Sequence, residues 1–417
     1  MIIRMNSRYF TTIIIIAVLG VLGAPGLRAQ ETLEVSHQTK LGIPPTPITI
    51  SGFSGEVASV LKFDLTVMGF ISVPAGSANY ELSGNNAGNV TGQLDLVGDA
   101  SQSRAGGAIN TSGPRSVLFS RSYQGGSLRA QAHRLADDVV LKITGVNGIA
   151  EVNGQISKIA FKAENNTGGE IYVADFDGHN PMPATQDHSI VAAPCWVPGH
   201  FALYYTSYKL GPPCVFYQDL RTGTRRNFAN YPGLIGSAAV SPDGRKVAMI
   251  LGKGGSVNLY VGDADGGDVK QLTFTTEDNS SPCWSPDGQW ICFASKVNER
   301  RALSKVPAEG GAMERIPTGG VSNPSEPDWS PDGKMIAFTS QYLGGFNICV
   351  VPAEGGIATP LVSGEDPSWS PNSRTLVYVR RGSGGNRTLS LLDVPTKQVK
   401  DVPRVSGSSN SQPSWAR

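Results

Sequence analysis

One phrase recurs six times in the second half of the chain, and few folds can accommodate it. Pro282-Cys283-Trp284-Ser285-Pro286-Asp287-Gly288 returns as Pro327-Asp328-Trp329-Ser330-Pro331-Asp332-Gly333. Looser copies are Pro194-Cys195-Trp196-Val197-Pro198-Gly199, Ala238-Ala239-Val240-Ser241-Pro242-Asp243-Gly244, Pro367-Ser368-Trp369-Ser370-Pro371-Asn372-Ser373 and a final Pro413-Ser414-Trp415. The Trp-equivalent positions are 196, 240, 284, 329, 369 and 415, so the steps are 44, 44, 45, 40 and 46 residues. A period of that size matches one four-stranded propeller blade.

Each repeat has the same internal order. Ser-Pro-Asp-Gly puts Pro where its fixed φ suits a type I turn and Gly where φ becomes positive. A second strand follows (335–340, 290–295), then a third (258–261, 347–350), a Gly-rich turn and a short fourth strand. These runs are almost continuously apolar, as sheets covered on both faces require. Third strands begin near Ile171, Val215, Asn258, Leu303, Asn347 and Leu389, which counts six blades. The first blade has no Pro-x-Trp strand ahead of it, and Gln412-Pro413-Ser414-Trp415 has no blade behind it. The economical solution is ring closure: the C-terminal strand becomes the innermost strand of the first blade, and no sheet edge stays open. The expected fold is mainly β, a six-bladed β-propeller over 154–417 preceded by a small α/β domain.

That first domain is read over 30–150. Val57, Leu61, Leu65 and Met68 step at helical spacing, as do Leu128, Ala132, Leu135, Val139 and Ile143 behind a Ser127 N-cap. Short strands are expected at 48–50, 70–73, 80–82, 90–97 and 116–120. Ahead of it, Arg4 and Arg8 precede a ten-residue apolar run from Ile13 to Leu22, then Pro25, Gly26 and a small Ala29. Residues 1–29 read as a secretory signal peptide cut after Ala29. Without Arg4, Arg8 and Arg28 the chain carries 32 basic and 34 acidic residues. That balance excludes a polycation built for nucleic acid. Hydrophobic residues at 40% exclude disorder, and Gly at 50 of 417 fits many tight turns.

Motifs for chemistry are missing. No Gly-x-Ser-x-Gly elbow occurs. The runs from Asp263 and Asp175 resemble the starts of calcium loops, but the closing Glu positions hold Phe274 and Gln186. His37, His133, His179, His188 and His200 have no partner in sequence that suggests a catalytic pair, and His133 is expected on the solvent side of the second helix. Cys195, Cys214, Cys283, Cys292 and Cys349 read as small core residues, with Cys283 and Cys292 able to face each other across a hairpin. No metal and no cofactor is expected.

A secretory signal, a small α/β domain and Pro-x-Trp-Ser-Pro-Asp-Gly blades closed by a Pro-x-Trp tail together resemble the TolB family, the periplasmic component of the Tol–Pal system. The junction Leu141-Lys142-Ile143-Thr144-Gly145-Val146-Asn147-Gly148, followed by Tyr172-Val173-Ala174-Asp175-Phe176-Asp177-Gly178, is similar to the family's own. The resemblance implies a non-enzymatic, monomeric periplasmic adaptor that reaches the outer membrane only through its partners and supports outer-membrane integrity and cell division. The Pal lipoprotein would dock at the channel mouth. The family's contact positions fall on Leu234, Ser237, Ser280 and Ser281, with Glu326 and Glu365 in neighbouring loops. TolA would bind the mature N-terminus, at Glu31, Thr32, Leu33, Glu34 and Val35. Two other readings stay open: a propeller hydrolase or lactonase with a channel metal, and a propeller binding module with no Tol role.

Overall fold

The computed structural model describes residues 41–97, 115–165, 168–229, 235–253, 255–276, 278–297, 300–342, 344–382, 384–405 and 409–417. The expected signal peptide, the stretch from Glu31 to Val35, and Leu234 lie outside the described residues.

The α/β part is a five-stranded sheet in the order β2-β1-β3-β4-β5. Its strands are β1 (Thr46–Ser51), β2 (Phe70–Ser72), β3 (Tyr80–Asn85), β4 (Thr91–Val97) and β5 (Arg115–Ser122), with helices α1 (Gly55–Val67) and α2 (Leu128–Thr144). The Ser127 hydroxyl accepts from the Ala130 amide at 3.2 Å to start α2, and Gly145 ends it with φ of 73°. The helix buries Ala132, Leu135, Ala136, Val139 and Val140, the face that the 3.6-residue period marks.

His133 corrects the sequence reading. It is fully buried, not solvent-facing, with Nδ1 2.6 Å from an Asp64 carboxylate oxygen of α1 and Nε2 3.7 Å from Asp177. Helix α2 has two covers, α1 on one flank and the first blade on the other, so its buried stripe is wider than one apolar face.

Among the described residues the propeller comprises six four-stranded blades, and two further sheets have only two strands each. The inner strands of blades 2 to 6 are Val191–Trp196, Ile235–Val240, Asn279–Trp284, Pro324–Trp329 and Glu365–Trp369. In blade 1 the inner strand is Ser409–Trp415, which runs antiparallel to Lys158–Asn165 with Trp415 opposite Ile159. The last strand of the chain therefore completes the first blade. Indoles tie blade to blade. Trp196 donates to the Ser414 carbonyl at 3.0 Å, Trp284 to that of Ala239 at 2.9 Å, and Trp369 to that of Asp328 at 3.1 Å. Each acceptor is the residue before the Trp-equivalent position of the preceding blade.

The Ser-Pro-Asp-Gly turns work by side-chain capping. In blade 5 the Ser330 hydroxyl donates to Asp332 at 2.7 Å and accepts from the Met335 amide at 2.9 Å. Asn372 serves in place of Asp in blade 6, accepting from Ser370 at 2.6 Å and from the Arg374 amide at 2.9 Å. Ser330 is fully buried, and Ser330→Ala leaves the half-buried Met335 without its side-chain acceptor. The expected loss is about 1–2 kcal/mol, read from the urea midpoint; an unmoved midpoint would show that the cap is dispensable.

The two parts share a core. Val139 of α2, Phe176 of blade 1, Val377 and Leu389 of blade 6 and Trp415 belong to one buried cluster. At Gly69 φ is 90° and an added Cβ would run into the Arg374 guanidinium. Only glycine can occupy that corner.

Candidate functional site: the propeller channel and its mouth

Every inner strand breaks its ladder at the same place. The register slips between Ala192 and Cys195, Gly236 and Ala239, Ser280 and Cys283, Ser325 and Asp328, Glu365 and Ser368, and Ser411 and Ser414. Within each slip one residue takes a left-handed backbone: Ala193, Ser237, Ser281, Glu326, Asp366 and Gln412, with φ between 46° and 55°. Each lies three positions before its Trp-equivalent. A bulge turns backbone out of the ladder, and six equivalent bulges turn it toward the axis. These residues line a channel cavity of about 540 Å³.

Part of this ring is wired head to tail. The Glu326 carboxylate accepts from the Asp366 amide at 3.3 Å and from the Thr339 hydroxyl at 2.7 Å. The Asp366 carboxylate accepts from the Gln412 amide at 3.3 Å, and the Gln412 side-chain carbonyl from the Ala193 amide at 3.0 Å. Burial, and then repulsion by Glu326, hold the Asp366 carboxyl well above the usual carboxylate range. At the turn end of the channel the Arg417 guanidinium contacts the Asp328 carboxylate and donates to the Trp329 carbonyl at 3.2 Å.

Of the residues singled out from sequence, Ser237, Ser281 and Glu326 are ring members. Ser280, one residue outside the ring, lines a mouth groove of about 400 Å³ together with Gly236 and Ser237. Glu365 stands apart. It is buried and bound by Arg381 at 3.0 and 2.7 Å and by Arg387 at 3.1 Å, so its carboxylate is taken up inside blade 6. Asp366, Gln412 and Ala193 complete the ring and were not among the expected contact positions. The constant offset from the Trp was the signal that could have found them. Cys283 and Cys292 are opposite each other across the first hairpin of blade 4, as the sequence allowed, and both are buried.

Loops entering the inner strands open on the same face as the hairpins joining second and third strands, because neighbouring strands are antiparallel. That mouth face carries exposed apolar side chains. Phe274 is 81% exposed, Ile190 and Tyr342 60%, and Leu210 57%.

Residues 140–417, about two thirds of the sequence, match the family model described as the TolB beta propeller domain. The chain belongs to the TolB β-propeller family. Among curated relatives, the Tol-Pal system protein TolB of Bordetella pertussis is 29% identical over 196 residues, covering 47% of this chain and 43% of that protein. The TolB of Bordetella parapertussis matches to the same extent. The match thus spans less than half the length of these relatives. Among solved structures, TolB from Acinetobacter baumannii superposes with a TM-score of 0.77 at 22% identity, over 90% of this chain and 98% of that one. A nidogen/laminin complex superposes at 0.53 with 9% identity, over 62% of this chain and 98% of that one. At such identities the likeness is one of fold.

Proposed function

We propose that this chain is a non-enzymatic adaptor of the Tol–Pal system in the periplasm, exported by its signal peptide. It docks a Pal-like lipoprotein at the channel mouth and a TolA-like protein through the mature N-terminus, and it works as a monomer. Through these partners it supports outer-membrane integrity and cell division. One observation carries the reading: six inner-strand bulges bring Ala193, Ser237, Ser281, Glu326, Asp366 and Gln412 around one channel, and the loops on that face expose Ile190, Leu210, Phe274 and Tyr342. Exposed aromatic and aliphatic side chains on one face suit a protein partner. The mouth carboxylates support a binding role over a catalytic one. Glu365 is held by two arginines, and Glu326 and Asp366 are engaged within the ring.

The test is titration with the soluble domain of the Pal-like lipoprotein from the same organism. Phe274→Ser with Tyr342→Ser is expected to weaken binding by roughly tenfold or more. Ile357→Ser, on the opposite face and 81% exposed, leaves it unchanged. Equal affinity for all three proteins would refute docking at the mouth. Deleting 30–35 is expected to abolish capture of the TolA-like protein while Pal-like capture persists.

A further inference from the structure

Blade 4 carries a cysteine on both strands of its first hairpin. Cys283 and Cys292 are register partners in antiparallel strands, and both thiols are free. Both belong to one buried cluster, shared with Trp329 and Ile336 of blade 5. The Ser285 amide donates to the Trp290 carbonyl at 2.9 Å. Alternation from that bond makes Trp284 and Ile291 a non-hydrogen-bonded pair, and Cys283 and Cys292 a hydrogen-bonded one. Cα atoms in such a pair stand about 5.5 Å apart, inside the range of about 4.4–6.8 Å that a disulfide spans. Side chains opposite each other leave the sheet on the same face, with Cβ atoms about 4.5–5.5 Å apart. A disulfide draws them in to about 3.8 Å. The inner strand has room for that approach, because its register slips between Ser280 and Cys283. The fold itself does not require this pair. At the same place in other blades Tyr204 faces Cys195 and Ala337 faces Asp328, and no other blade holds two cysteines there.

We propose that Cys283 and Cys292 are an oxidation site, closed as a cross-strand disulfide when the chain folds outside the cytoplasm. The oxidant is itself a disulfide, carried by a protein or by a small thiol, as oxidising compartments supply. For the presence of that oxidant the inference rests on the export proposed above. One cysteine thiolate attacks a sulfur of the oxidant; a mixed disulfide forms, the oxidant's S–S bond breaks, and its other sulfur leaves as a thiolate. The second cysteine thiolate attacks the protein sulfur of the mixed disulfide, which forms the Cys283–Cys292 bond and releases the remaining oxidant sulfur. Two protons pass from the protein thiols to the oxidant's thiolates; the pair loses two electrons and the oxidant gains them. Burial, and then the neighbouring Cys292 thiol, hold the Cys283 thiol well above the ordinary cysteine range. The thiolate is the attacking form, so exchange belongs to the open hairpin and not to the finished propeller. Once closed, the bond ties the strand that carries Ser281 into the mouth ring to its neighbour.

Cys195 is an internal control: it lines the channel as Cys283 does, but Tyr204 is opposite it. The test is refolding of the reduced mature chain in a mixture of oxidised and reduced glutathione, then alkylation in denaturant and peptide mapping by mass spectrometry. The expected product links Cys283 to Cys292 and leaves Cys195, Cys214 and Cys349 alkylated. Cys195→Ser should keep the linkage and Cys292→Ser should lose it. Oxidised glutathione added to the folded, reduced chain should form the linkage at least about tenfold more slowly. Five alkylated cysteines after refolding, or a linkage to Cys195, Cys214 or Cys349, would overturn the pair. Equal rates from the folded and the unfolded chain would overturn closure during folding. The chain recovered from cells and alkylated at lysis should carry the same linkage. Its absence from a chain cut after Ala29 would overturn oxidation in the cell. Its absence from a chain that keeps residues 1–29 would instead remove the export reading, with the pairing on refolding left in place.

Discussion

Trp415→Ala is expected to lower stability by about 3–5 kcal/mol, the usual loss when a buried tryptophan is truncated. The indole is 2% exposed, stacks on Phe176 with centroids 6.3 Å apart, and donates to the Ser157 hydroxyl at 2.6 Å. The side chain thus joins the closing strand to the first blade and to the shared core. Deleting residues 412–417 should cost more. It also removes Gln412 from the mouth ring and Arg417 from Asp328. Ile159 and Ala160 of the blade 1 strand would then face the channel without their inner-strand partners. A thermal melt reads both effects, and for Trp415→Ala a fall of roughly 5 °C is expected. Unchanged melting of the truncated chain would show that the ring does not depend on its tail.

The second large effect lies where the helices meet the propeller. His133 sits between Asp64 of α1 and Asp177 of blade 1, and Arg129 also contacts Asp177 and pairs with Glu56 at 3.0 Å. Asp137 and Glu151 are the other charged groups facing this cluster. Burial opposes the imidazolium, but the charge and hydrogen bond of Asp64, with Asp177 behind them, outweigh it and raise the His133 pKa. Removing one member of such a buried set leaves the others uncompensated. His133→Ala is expected to cost about 3–5 kcal/mol in urea unfolding near pH 6.

The pH dependence has a definite sign. A histidine raised above its unfolded value contributes stability that is complete below about pH 6.5 and is lost as pH rises through the folded value. Asp137, pushed to about 7 mainly by burial, adds to the decline as pH climbs from the ordinary carboxylate range. Wild-type stability should therefore fall as pH rises above about 6.5. His133→Gln should be flatter over the same window. Parallel profiles for the two proteins would remove His133 as the titrating group.

Much of the architecture was readable from the sequence because proline, tryptophan and glycine mark fixed geometry. The Trp spacing carried the blade number, and the orphan Pro-x-Trp at 413–415 pointed to the pairing with 159–160 that the structure contains. The helical period located α1 and α2. His133 escaped because the period reports one buried face, and α2 has a second cover that only the tertiary fold supplies. The left-handed backbone of the mouth ring escaped for another reason. Ser, Glu, Asp and Gln do not advertise a left-handed backbone as glycine does. Here the bulge imposes it, so position relative to the Trp carries the information and residue type does not. Glu365 and Glu326 illustrate the point. They looked alike in sequence, yet one is locked between arginines and the other belongs to the ring.

Hydrogen–deuterium exchange of the mature chain, with and without a saturating soluble domain of the Pal-like lipoprotein, bears most directly on the adaptor reading. Slowed exchange is predicted over 184–193, 235–238 and 278–282 at the mouth, with the turns at 242–246, 286–290 and 331–335 unchanged. Protection confined to those turns, or no protection anywhere on the propeller, would contradict a partner seated on the mouth ring.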